Sequence, residues 1–222
     1  MTRSAAALFR SALRQRLIAA REALPATLRA QLSRRIERHL GELVDALRPA
    51  TLAFCWPVHG EFDARDLVAA RLTGALRACL PVVMDDARGG KLPLTFREWT
   101  PQSEMAAGRY GIPIPARGDT LQPDLILMPL NAFDEAGYRL GYGGGYFDRS
   151  LAALFPRPRA IGVGFELARV ASIQPQAHDL PMDFIVTEAG AFEVVAGSLK
   201  PIRFNKRSSF PHDSGGNPVS LL

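Results

Sequence analysis

The stretch DLILMPLNAFDEAGYRLGYGGGYFDRSL, residues 124–151, joins an apolar run, a loop, four glycines in five positions and a helix-like segment. The run DLILMPL (124–130) is the most apolar in the chain and reads as a buried strand. The helix is expected from about Tyr146 to Leu154. Gly141, Gly143, Gly144 and Gly145 permit positive φ and a close approach of backbone to a ligand. A glycine loop that ends at a helix N-terminus aims free N–H groups at one spot, where the helix dipole also favours an anion. Arg139 and Arg149 flank the loop and suit the clamping of phosphate oxygens. The unit reads as a polyphosphate cradle, with a plain surface turn as the alternative. It matches neither common nucleotide motif. Tyr146 stands where G-x-G-x-x-G needs its third glycine, and no lysine (91, 200, 206) has a Walker A setting.

The same alternation extends outward in both directions. Ser4 is placed to cap a helix to about Leu24, and Thr27 a second one to Leu47, before Pro49. TLAFCW (51–56) reads as a strand, DARDLVAARLTGALR (63–77) as a helix capped by Asp63, and ACLPVVM (78–84) as a strand. LPLTFREW (92–99) is expected at an edge or antiparallel because of Pro93. AIGVGF (160–165) and FIVTEAGAFEVV (184–195) supply further strands. Strands alternating with helices predict an α/β fold, a mostly parallel sheet between helical layers, with ligands beyond the strands' carboxyl ends. Residues 1–196 are expected to form one domain. The Ser-, Gly- and Pro-rich residues 197–222 read as a basic tail.

Composition narrows the function classes. With 222 residues, 47% hydrophobic and 22% charged, the chain is neither disordered nor membrane-spanning. Two cysteines, Cys55 and Cys79, fit a reducing, cytoplasmic setting. The net charge of +5 is uneven: residues 1–48 hold ten arginines against four acids, whereas residues 49–196 hold 13 basic and 17 acidic groups. A basic first helix reads either as a targeting segment or as part of the domain. The histidines and cysteines lack zinc spacing, and there is no G-x-S-x-G.

RLGYGGGYFDR (139–149) closely resembles the hallmark of the 5-formyltetrahydrofolate cyclo-ligase family, also called 5,10-methenyltetrahydrofolate synthetases. Asp124, Pro129, Phe133, Asp134 and Gly137 match as well. So do Arg10 and Arg14 in the first helix, GEFDARDL (60–67), YGIPIP (110–115) and HDLPMDFIVTE (178–188). The resemblance covers about residues 8–190 in order. It implies a three-layer α/β/α fold related to sugar-phosphate isomerases and CoA-transferases. It also implies the ATP- and Mg²⁺-dependent conversion of 5-formyltetrahydrofolate to 5,10-methenyltetrahydrofolate, ADP and phosphate.

Roles follow from that resemblance. Arg10, Ser11, Ala12, Leu13 and Arg14 correspond to a first ATP segment. Arg139, Leu140, Gly141, Tyr142, Gly143, Gly144, Gly145, Tyr146 and Phe147 correspond to a second. Asp148 and Asp183 stand where the family places magnesium carboxylates. Trp56 and Glu61, with Tyr142 to Tyr146, match folate-contacting positions. A carboxylate there accepts paired hydrogen bonds from the pterin's amino-pyrimidine edge, and an aromatic packs on its face. Arg139, Arg149 and Tyr146 are the expected catalytic groups. Three positions depart from the family pattern: Arg10 for a commoner Lys, Ile114 for a frequent Glu, and Phe147 for a frequent Tyr. Small molecules are the expected partners of a monomer, without nucleic acid or membrane. Competing readings are a sugar-phosphate isomerase or CoA-transferase-like enzyme, which has no use for Arg10 and Arg14. A nucleic-acid binder using the basic helix and tail would instead lose affinity steeply with salt.

Overall fold

The computed structural model describes residues 4–72, 74–84 and 90–204. Four α-helices are described: α1 (Ala5–Glu22), α2 (Ala26–Leu47), α3 (Arg65–Ala69) and α4 (Tyr146–Ala153). The strands are β1 (Thr51–Ala53), β2 (Arg77–Val82), β3 (Thr95–Trp99), β4 (Met105–Ala107), β5 (Pro113–Pro115), β6 (Leu125–Pro129) and β7 (Ala132–Asp134). They continue with β8 (Arg139–Leu140), β9 (Arg159–Val163), β10 (Arg169–Val170), β11 (Phe184–Thr187), β12 (Gly190–Val195) and β13 (Ser198–Pro201).

The main sheet has the order β13-β12-β11-β9-β6-β1-β2-β3. Its centre, from β11 to β2, is parallel, and antiparallel strands close both sides. Central parallel strands need apolar residues on both faces, and the period of two divides them cleanly. Leu52, Leu80, Leu125, Leu127, Ile161 and Val186 join Ile36, Leu40 and Leu43 of α2 and Leu67 of α3 on one face. Ala53, Cys79, Ile126, Met128, Ala160 and Ile185 face the other way, toward Leu151 of α4 and Phe133 of β7. The result is the mixed α/β layering that the alternation predicts. Trimming Ile36 or Leu40 to alanine would open a cavity worth about 2–5 kcal/mol.

A small sheet, β10-β7-β8, carries α1. Leu13 and Leu17 pack there against Ala132, Leu140 and Ile173, whereas Leu8 of the same helix is exposed. Ser4 caps α1 as expected, accepting the Ala7 N–H at 3.2 Å. Thr27 does not cap α2: Pro25, its φ fixed by the ring at −53°, starts that helix earlier. Asp63 does accept the Arg65 N–H, at 3.0 Å. The helix after it stops at Ala69, however, and β2 begins at Arg77. β3 is the antiparallel edge strand expected from Pro93. The run 184–195 is a hairpin, turning at Glu188 and Ala189 between β11 and β12.

The tail expectation needs correction at its start. Ser198–Pro201 forms β13, paired antiparallel with β12, because Leu199 and Ile202 still have apolar surface to cover. Residues 205–222 lie outside the described residues. Among the described residues no helix is long and apolar enough to cross a membrane, and both cysteines are free.

Candidate active site

A cavity of about 830 Å³ opens beyond the carboxyl ends of β1 and β6. Its walls include one face of α1, the loop after β1, the 109–114 segment, the glycine loop and the 176–179 loop, with Leu80, Pro81, Val83, Lys91, Leu94 and Pro129 between them. Helical spacing selects the α1 contribution. Ser4, Ala7, Arg10 and Arg14 line the cavity, so Leu13 must face the core. Ser11 and Ala12 are likewise absent from the lining, and Leu140 is fully buried beneath the loop. Of the expected first ATP segment, the structure therefore brings only the two arginines to the site.

The glycine loop leaves β8 at Leu140 and enters α4 at Tyr146. Gly143 and Gly145 have φ of +86° and +65°, values that L side chains rarely adopt. A Cβ on Gly145 would also meet Arg149 Nη1 at 2.9 Å. No side chain caps α4 at Gly145, which leaves its first-turn N–H groups for an anion. Arg14 Nε donates to the Gly141 carbonyl at 2.6 Å and fixes the near end of the loop. Arg149 Nη2 donates to the Gly144 carbonyl at 2.8 Å. Arg149 does not line the cavity. It braces the loop from behind, which corrects its expected place among the reacting groups.

Gly141, Tyr142, Gly143, Gly144, Gly145, Tyr146, Phe147, Asp148 and Arg139 all line the cavity. Arg139 is almost wholly buried, with Nη1 3.3 Å from Asp148 Oδ1 and its guanidinium over the Phe147 ring at 5.5 Å. Asp148 Oδ1 also accepts the Leu180 N–H at 3.3 Å. Asp183 is not brought to the same place. It lies outside the lining, and its carboxylate takes both Arg157 Nη1, at 2.9 and 3.1 Å, and the Ala160 N–H at 2.6 Å. It anchors the entry to β9, so the metal expectation rests on Asp148.

The expected folate groups are assembled. Trp56 lines the cavity with the Arg65 guanidinium 4.4 Å from its ring centroid. Glu61 Oε1 accepts the Tyr142 hydroxyl at 2.6 Å, and Oε2 accepts the Val58 N–H at 3.1 Å. Burial raises the Glu61 carboxyl above its ordinary value, against the opposing pull of Tyr142, Val58 N–H and Arg21. Burial beside Glu61 likewise raises the Tyr142 phenol. Cys55 also lines the cavity; burial pushes its thiol far up, so it is a neutral wall there.

Several lining residues carry no expectation from sequence. Tyr110 sits at φ +60° with its hydroxyl 3.5 Å from that of Tyr146. Lys91 Nζ stands 5.7 Å from the Tyr146 ring centroid. Asp179 grips Arg10. For Tyr110 and Asp179 the signal lay in the YGIPIP and HDLP stretches, which matched a family without saying what each residue touches; Lys91 lies in neither.

Comparison with known proteins adds the chain's relatives. A model of the 5-formyltetrahydrofolate cyclo-ligase family matches residues 7–188. A 5-formyltetrahydrofolate cyclo-ligase of Escherichia coli (strain K12) is 31% identical over 149 residues, covering 64% of this chain and 80% of that one. One from Mycolicibacterium smegmatis is 30% identical over 183 residues, covering 80% and 93%. The solved 5,10-methenyltetrahydrofolate synthetase of Aquifex aeolicus superposes with a TM-score of 0.70 at 25% identity, over 93% of this chain and 99% of that one.

Proposed function

The chain belongs to the 5-formyltetrahydrofolate cyclo-ligase family, and from that premise we propose how its cavity turns 5-formyltetrahydrofolate and ATP into 5,10-methenyltetrahydrofolate, ADP and phosphate. The observation that carries the reading is one cavity with two chemically distinct walls. The glycine loop, Arg14 and Arg139 form a cationic wall with open N–H donors. Trp56, Glu61 and Tyr142 form an aromatic and carboxylate wall.

A formamide oxygen is a poor leaving group, so the reaction must first activate it. The formyl oxygen attacks the γ-phosphorus of ATP, and the bond to the β-γ bridging oxygen breaks to release ADP. N10 then adds to the activated formyl carbon, the C–O bond breaks, and the N10 proton is accounted for in the hydrogen phosphate released. Such chemistry needs alignment and charge compensation more than covalent help. The α4 N-terminus and Arg139 stabilise the triphosphate, and Arg14 holds the loop's shape. Glu61 accepts from the pterin's amino-pyrimidine edge and fixes the formyl group's direction, while Trp56 covers the ring.

Magnesium fits this site as a phosphate-borne ion. Among the described residues no three His, Cys, Asp or Glu side chains cluster to form a protein cage. Asp148 lines the cavity beside the loop as a single carboxylate. Mg²⁺ commonly binds through one or two carboxylates together with substrate phosphates. When bound, it neutralises phosphate charge; Asp148 is the group that would hold it. Small molecules are the proposed partners of this cavity, and the free cysteines support a cytoplasmic setting.

Calorimetric titration tests the two walls separately. Mg-ATP is expected to bind wild type but only weakly after Gly143→Val, with folate binding retained. If that variant, folded, bound Mg-ATP normally, the loop would not be the triphosphate cradle.

A further inference from the structure

Arg21 has no expected role, yet it is the most enclosed arginine among the described residues, with 3% of its surface exposed. It lies seven residues after Arg14, two turns along the same face of α1. Its Nε donates to the His59 carbonyl at 2.8 Å and Nη1 to the Leu130 carbonyl at 2.9 Å. Nη2 donates to the Tyr142 hydroxyl at 3.2 Å and lies 3.8 Å from Glu61 Oε1. One rigid fork thus meets the loop after β1, the end of β6 and the glycine loop.

We propose that Arg21 is a positioning residue, fixing Glu61 and Tyr142 as one folate-recognising unit. The proposal rests on the reading above, that Glu61 and Tyr142 receive the folate. The geometry has a consequence for order. Tyr142 gives its proton to Glu61 and its lone pair to Arg21, so both Glu61 and Tyr142 have one defined orientation before substrate arrives. Because Tyr142 adjoins Gly141, the residue held by Arg14, the folate wall and the phosphate wall share a backbone.

The charges facing Glu61 come from every element around it. α1 supplies Arg21, and Glu22 of α1 holds His59, which sits on Glu61's own loop, at 2.8 Å. Tyr142 comes from the glycine loop, and Cys55 from the end of β1. Arg21 is the permanently charged cation of this set, so its removal must push the Glu61 carboxyl further up.

Steady-state kinetics of wild type, Arg21→Gln, Arg21→Lys and Glu61→Gln, each with folate and ATP varied in turn and over a range of pH, test the proposal. Arg21→Gln is expected to raise the KM for 5-formyltetrahydrofolate about tenfold, the loss of a charge-assisted bond, and to leave the ATP KM unchanged. The acid limb of its kcat/KM for folate should move to higher pH. Arg21→Lys should keep the limb in place and recover part of the affinity, since a point charge replaces a fork. Should Arg21→Gln fail to fold, the Lys variant decides: a raised folate KM with an unmoved ATP KM supports the role. Both KM values rising together, or an acid limb that stays put in Arg21→Gln, would make Arg21 a structural strut and overturn the proposal. If Glu61→Gln raises the folate KM while the Arg21 variants do not, only the Arg21 proposal falls. If Glu61→Gln leaves the folate KM unchanged, the folate-wall reading falls and the proposal with it.

Discussion

Arg10 and Asp179 form a two-pronged pair: Nη1 lies 2.5 Å from Oδ2 and Nη2 3.1 Å from Oδ1. The Gln174 carbonyl takes a further bond from Nη1, and the Gln176 N–H completes Asp179. Arg10 therefore pins the 174–179 loop against α1, while Arg14, one turn on, pins Gly141. Two arginines matched to one ATP segment thus hold separate loops, Arg10 the 174–179 loop and Arg14 the glycine loop.

That separation predicts different phenotypes. Arg10→Ala leaves a partly buried carboxylate without its cation and is expected to cost about 1–3 kcal/mol of stability. Burial alone would raise the Asp179 carboxyl, but the bonds from Arg10 and Gln176 outweigh it and hold it below the usual value. A group lowered in the folded state contributes stability above its unfolded value and loses it as pH falls through the folded one. The gap between wild type and Arg10→Ala should thus be full at neutral pH and close in acid. Arg14→Ala should instead raise the ATP KM with a smaller change in melting temperature. Denaturant melts over pH, with ATP kinetics, check both; equal effects on ATP KM and stability from the two variants would contradict the division.

Asp148→Asn is expected to keep the fold and lose most of kcat. An amide still accepts the Leu180 N–H but loses its charge toward Arg139 and is a poorer magnesium ligand. Raising Mg²⁺ should restore part of the rate. Full activity at low Mg²⁺ would reduce Asp148 to a first-turn acid of α4.

The two ends of the tail should behave differently. Among the described residues, those that line the cavity all lie at or before Asp179, and removing residues 205–222 is expected to leave kinetics and stability nearly unchanged. Removing residues 198–222 also strips β13 from β12 and uncovers apolar surface held by Leu199 and Ile202, and should lower the melting temperature. Equal melting temperatures for the two truncations would show that β13 adds nothing.

What the sequence disclosed follows from how local each signal is. The strand at 124–130, the glycine loop and the helix after it depend on apolar runs and backbone freedom within about 30 residues, and all three were legible. Glu61 and Tyr142, 81 positions apart in the chain, were each proposed for folate, but their bond is a product of tertiary folding. Matching a motif also did not separate lining from scaffold. Asp134 is buried and accepts the Tyr138 and Ile173 N–H groups, and Gly137 is required because Val194 lies 2.6 Å from where its Cβ would be. Asp183 is another such scaffold residue, held by Arg157. Arg21 escaped because an arginine on a basic helix reads as solvated until the fold closes around it. The pairing of Ser198–Pro201 had no local signal, since it depends on the neighbouring strand β12.

Turnover of the purified chain tests the central claim most directly. With Mg-ATP and 5-formyltetrahydrofolate, the ultraviolet absorbance of the methenyl product should appear, accompanied by one ADP per product formed. Omitting ATP should abolish it, and omitting Mg²⁺ should reduce it sharply. Well-folded protein that forms no methenyl product across several divalent metals, or that releases ADP without regard to the folate, would contradict the account.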